Sequence, residues 1–171
     1  MSDELPGLTE LGAIFHNDRS FVLRIVQPGL AGLMDGSVST LAPIFATAFA
    51  THNSRTVFLI GAASAVGAGI SMAFSEGLSD DGELTGRGNP VFRGIVTGLM
   101  TFLGGFLLTL PFLLRNVHTA LTLAYLVVGV ELIVISWIRY RYFKTSFGMS
   151  FFQVVVGGGL VFTAGILIGS S

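Results

Sequence analysis

The sequence predicts an all-α membrane protein: five transmembrane helices, N-terminus cytoplasmic, C-terminus outside. Three observations predict it. The chain has 171 residues, 51% of them hydrophobic and only 11% charged, with a mean hydropathy of +0.78. Soluble domains carry about 25% charged residues, so most of this surface must face lipid. Five stretches reach the roughly 20 apolar residues that a spanning helix needs. The basic residues are lopsided. With five spans, seven of the nine (Arg19, Arg24, Arg87, Arg93, Arg139, Arg141 and Lys144) fall on the N-terminal side, leaving Arg55 and Arg115 on the other. Lys and Arg mark the cytoplasmic side.

Residues 1–27 form a mildly acidic N-terminal segment, and residues 28–171 the five-helix domain. The segment lacks the basic start, short apolar run and small-residue site of a cleavable signal. Its Leu8, Leu11, Ile14, Phe15 and Val22 suit an amphipathic helix lying at the interface; a simple tail into the first span fits equally. The expected spans are 28–51, 56–78, 91–114, 118–138 and 148–169. Pro28 suits a helix start, and Asn89-Pro90 supplies a cap and first residue for the third. Short connections make sequence neighbours antiparallel partners.

Small residues recur at helical spacing. Gly32/Gly36, Gly94/Gly98 and Gly165/Gly169 are GxxxG pairs, and Gly61, Ala65 and Gly69 line one stripe of the second helix. Such stripes let helices approach closely in lipid, within one protomer or between two. Gly157-Gly158-Gly159 marks a flexible or closely packed point of the fifth helix.

Ionisable groups inside spans are costly and default to a functional reading. Asp35, Glu76 and Glu131 are such groups, and no embedded Lys or Arg stands out as their partner. A cation or protons would then be the missing partner. At 1.5 Å per residue, Asp35 lies about 10 Å past Pro28, Met72 and Glu76 about 9 and 3 Å before Leu78, and Glu131 about 10 Å before Ile138. All four fall in the cytoplasmic half. Met72 and Glu76 share a helical face, with Gly69 expected to leave room beside it. Ser39 follows Asp35 by one turn, and Pro43 frees the carbonyl of Ser39. Each also has a plainer reading: Glu76 solvated at the interface, Met72 in packing, Glu131 hydrogen-bonded to a neighbouring helix. Carboxylates with a thioether suit a borderline ion such as Fe²⁺ or Mn²⁺. Carboxylates shed protons to bind metal, so proton exchange is a natural companion.

The connection 79–88 holds Asp80, Asp81 and Glu83, a cation-attracting mouth or a solvated turn. Gly86 and Gly88 around Arg87 read as turn chemistry; a phosphate loop's lysine is absent. His16, His52 and His118 have no metal or haem spacing. There are no cysteines, hence no disulfides or thiolate sites. No nucleophile–base set suggests an enzyme, no resident cofactor is expected, and a net charge of −1 gives no argument for nucleic acid.

Residues 27–40, QPGLAGLMDGSVST, resemble the first-helix signature of the vacuolar iron transporter family, with its Asp-Gly pair. Residues 67–79, GAGISMAFSEGLS, resemble its second-helix signature. The stretches 78–82, LSDDG, and 84–88, LTGRG, are similar to the membrane domain of bacterial membrane-bound ferritins, a branch of that family. The resemblance runs from residue 27 to the C-terminus. It implies a homodimer of five-helix protomers in the bacterial inner membrane, moving Fe²⁺ and often Mn²⁺ out of the cytoplasm against protons. The ion path would lie near the dimer interface. It carries over Asp35, Met72 and Glu76 as candidate metal ligands but not Glu131, which rests on the residue reading alone. Two departures matter. No Glu-x-x-His ferritin-like motif precedes the first span, so iron oxidation or storage is not expected. The long Glu-rich insertion after the second helix is also missing. The rival readings are a non-transporting scaffold or accessory subunit, and a transporter of another solute.

Overall fold

A computed structural model describes residues 18–83 and 85–170. The described chain is helical throughout apart from its connections, and five helices have the length and apolar character to cross a membrane. These mark the chain as a membrane protein. Helix α1 is Gln27–Thr51, α2 Ser54–Gly77, α3 Pro90–Thr109, α4 Val117–Phe143 and α5 Phe147–Gly169. A 3₁₀ turn, Leu110–Leu113, extends α3.

Side-chain caps set the helix starts. Asn53 accepts from the Thr56 amide, Asn89 from Phe92, Asn116 from His118 and Thr119, and Ser146 from Met149. Each satisfies a backbone N–H that the first helical turn leaves open. The first helix departs from expectation at its start. It runs unbroken upstream of Pro28, through a π-helical turn Val22–Val26 to a short stretch Asp18–Phe21. The Gln27 amide reaches back to the Val22 carbonyl. Pro28 has no N–H to offer the ladder, and the wider π turn lies directly before it. The residues proposed for an interfacial helix, Leu8, Leu11, Ile14 and Phe15, lie outside the described residues, as does His16; Val22 sits in the π turn.

Glycine contacts fix how the helices run. Gly32 and Gly36 of α1 press on the Thr97 and Thr101 carbonyls of α3, in rising register, so α1 and α3 are parallel. Gly165 and Gly169 of α5 meet Ala42 and Ala46 of α1 in the same sense. Gly94 and Gly98 of α3 meet Ala73 and Gly69 of α2 in reversed order, so these are antiparallel. Near its end α1 stacks Phe45 on Tyr125 of α4 at 5.2 Å; just before its start Phe21 meets Tyr142 at 6.1 Å, so α4 also runs opposite. A Cβ on Gly94 would stand 2.6 Å from the Ala73 carbonyl oxygen, and one on Gly98 2.7 Å from that of Gly69. All three GxxxG pairs and the Gly61–Ala65–Gly69 stripe are therefore used inside the protomer. In lipid, such backbone approach and its van der Waals contacts hold helices together.

Helix α1 is the hub, packed against each of the other four. Its Leu41, Ile44, Phe45 and Ala48 join Val57, Leu108, Phe112, Ala120 and Ala124 in the main core. Large apolar side chains elsewhere, such as Ile70, Phe74, Leu99, Leu126 and Leu160, point outward, as a lipid-facing surface requires. Gly157 and Gly159 have open space where a Cβ would be, so the triple glycine of α5 is not a tight packing point on those two sides.

Candidate functional site

The four residues singled out from sequence stand in four different surroundings. Asp35 sits on α1, partly exposed, with Ala31 and Ser39 exposed one turn to either side. It makes no hydrogen bond or ion pair among the described residues. Pro43 lies inside the helix one turn beyond Ser39, so the Ser39 carbonyl lacks its usual amide donor. On this face of α1, Asp35 and Ser39 form a polar strip with no hydrogen-bond partner among the described residues.

Glu131 is on α4 and only 6% exposed. Ser37 of α1 faces it. The Ser37 hydroxyl, however, donates to the Leu33 carbonyl at 2.8 Å, and both Glu131 carboxyl oxygens are buried with no hydrogen-bond partner among the described residues. Ser37 and Asp35 are two residues apart, about 200° around a helix with 3.6 residues per turn. Asp35 and Glu131 therefore flank α1 from opposite sides and do not share a chamber. Matching depth, which suggested a common site, does not fix the angular position around the hub helix.

Glu76 has partners that the sequence reading did not identify. Its Oε1 accepts from Arg87 Nη2 at 2.6 Å and from Arg93 Nε at 2.9 Å. Asp80 completes the cluster: its Oδ2 lies 3.2 Å from Arg87 Nη1 and its Oδ1 3.2 Å from Arg93 Nη2. Arg93 is fully buried and also donates through Nη1 to the Gly88 carbonyl at 3.1 Å. The expectation that the embedded acids lack basic partners fails here. Arg93 sits one turn into α3 and Glu76 one residue from the end of α2. The intervening hairpin brings both to the same depth. That register was the available signal.

The connection folds back on itself to build this cluster. Gly82, Gly86 and Gly88 take positive φ, at 80°, 67° and 72°, a region favouring glycine. The turn chemistry expected around Arg87 is present. Partial burial opposes ionisation of Asp80, but the Arg93 guanidinium, the Gly82 amide and the Thr85 hydroxyl outweigh it and hold its carboxyl below the usual carboxylate value. Asp81 accepts from the Glu83 amide in a local turn. Of the three acids expected at a cation-attracting mouth, Asp80 is thus committed to arginine, while Asp81 and Glu83 stay exposed.

Met72 is half-buried on α2. The room expected beside Gly69 is filled by α3: a Cβ there would stand 3.0 Å from the Gly98 carbonyl oxygen and 3.1 Å from the Phe102 Cβ. Among the described residues no three His, Asp or Glu side chains gather into a metal-holding group. Within one protomer the acids are separate stations around α1, not a preformed chelate. Comparison with known protein families, with curated proteins and with solved structures finds no match for this chain.

Proposed function

We propose that this chain is a secondary transporter carrying divalent transition-metal ions, Fe²⁺ or Mn²⁺, out of the cytoplasm in exchange for protons. The observation that carries the reading is Asp35: a partly exposed carboxyl within a spanning helix, with no hydrogen bond or ion pair among the described residues and Ser39 on its side. A charge in a span is retained at a cost, and nothing around this one supports a packing role. The resemblance of residues 27–40 and 67–79 to vacuolar iron transporters supplies the ion's identity.

The polar strip of α1 and the exposed small face of α2, with Gly67 and Ser71, suit a second copy of the chain. Two Asp35 carboxylates and two Met72 thioethers would then supply the ligands that one protomer lacks. Glu76 enters this scheme as an arginine-bound anchor of the mouth, and Glu131 as an acid on the far side of α1, off the path that Asp35 lines. The seven basic residues of one end put that end in the cytoplasm.

The test is Fe²⁺ flux into proteoliposomes with and without a pH gradient. The parent chain should transport, faster with the gradient. Asp35→Ala should slow transport by about tenfold or more, the loss of one charge-assisted ligand. Unchanged flux in Asp35→Ala would sink the site. Absence of any flux from the folded parent would leave the scaffold reading in possession.

A further inference from the structure

The two ends of the bundle hold their arginines differently. At the end where α2 joins α3, Arg87 and Arg93 are bound by Glu76 and Asp80. At the other end Arg55, in the first turn of α2, and Arg115, just before α4, make no ion pair among the described residues. No acid is near in sequence: there is no Asp or Glu between Gly36 and Ser75, and after Arg93 only Glu131. Both arginines line a cavity of about 420 Å³, together with His52, Phe58, Phe112 and Leu113. The Ser54 hydroxyl reaches the Arg115 carbonyl at 3.5 Å and ties the two connections together. Helices α2 and α4 both begin here, adding the positive ends of two helix dipoles.

We propose that this pocket binds the phosphate of an anionic phospholipid headgroup. Two guanidiniums can each offer paired N–H donors to phosphate oxygens, and among the described residues no carboxylate lines the pocket to compete. A free phosphate ion would satisfy the same donors. The lining favours a lipid because about half of it is apolar: Phe58, Leu113 and Leu114 line it beside the arginines, and Leu113 is 64% exposed. That combination suits a ligand with an anionic head and a hydrocarbon tail at the membrane surface. The site is independent of which ion the chain carries, so its test does not involve metal.

The test uses the full chain purified in a neutral detergent, its thermal midpoint followed as phosphatidylglycerol, phosphatidylcholine or inorganic phosphate is added. Phosphatidylglycerol should raise the midpoint in a saturable manner and phosphatidylcholine should not. Combining Arg55→Gln with Arg115→Gln should weaken the apparent affinity by about tenfold or more, the loss of charge-assisted hydrogen bonds. Removing two charges at the opposite end, with Arg141→Gln and Lys144→Gln, should leave the response in place. If the double variant fails to fold, Arg115→Gln alone serves the same comparison. A double variant that titrates like the parent, or an equal response to phosphatidylcholine, overturns the proposal. An equal response to inorganic phosphate overturns the lipid as its ligand.

Discussion

Glu76 and Glu131 are both acids drawn into a helical bundle, and their surroundings are opposite. Glu76 has two guanidiniums on a single oxygen, one of them fully buried. Glu131 has a serine whose hydroxyl is turned to its own helix, and two carboxyl oxygens with no hydrogen-bond partner among the described residues. The first region is a lock at the end of the α2–α3 hairpin. The second is an unsatisfied polar site held between α1 and α4. The same residue type thus contributes stability in one place and costs it in the other.

One substitution applied at both positions gives the sharpest contrast. Glu76→Met should destabilise the folded chain by about 1.5–3 kcal/mol, because it removes the carboxylate oxygen that two arginines share while Asp80 still pairs with both. Glu131→Met should stabilise it by about 1–3 kcal/mol, by removing a buried polar group that has no hydrogen bond. Unfolding of both variants in mixed micelles with rising dodecyl sulfate would give the two signs. A shared sign would break the comparison. Glu131→Gln sharpens it further. Exchanging one unpaired polar head for another should change stability by no more than about 1 kcal/mol, so any large effect on flux would belong to chemistry and not to folding.

A smaller effect separates the lock by pH. The Asp80 carboxyl is held below its usual value. Its contribution is therefore fully present above the ordinary carboxylate range and fades as pH falls through the lowered value. Protease cutting of the connection 79–88 should stay slow at neutral pH and accelerate only in strong acid. Asp80→Asn should be cut faster already at pH 7. A parent chain whose cutting does not change with pH would show that Asp80 does not hold the turn.

Much of the architecture is written in local sequence. Twenty-odd apolar residues make a span, Asn89-Pro90 starts one, and glycines four apart let backbones meet; each signal acts within a few turns. Pro28 reads as the beginning of the first helix, and the α-helical part does begin at Gln27, but a π turn directly before it continues the helical run upstream. Arg93 counts among the basic residues of one end, yet its side chain turns inward to Glu76. A count of charges along the chain carries no direction for a side chain. The separation of Asp35 from Glu131 was hidden for a related reason. Depth can be counted along each helix alone, whereas angular placement needs the neighbours.

The glycine seam between α1 and α3 also has a consequence in time. Gly36 closes on Thr101, which follows it by 101 − 36 = 65 residues. At ribosomal speeds of about 5–20 residues per second, that surface waits roughly 3–13 s for its mate. Throughout that interval the helix bearing Asp35 has left the ribosome without the neighbour that will cover its seam. Until the third helix arrives, the seam of the hub helix lacks the backbone that covers it in the folded chain.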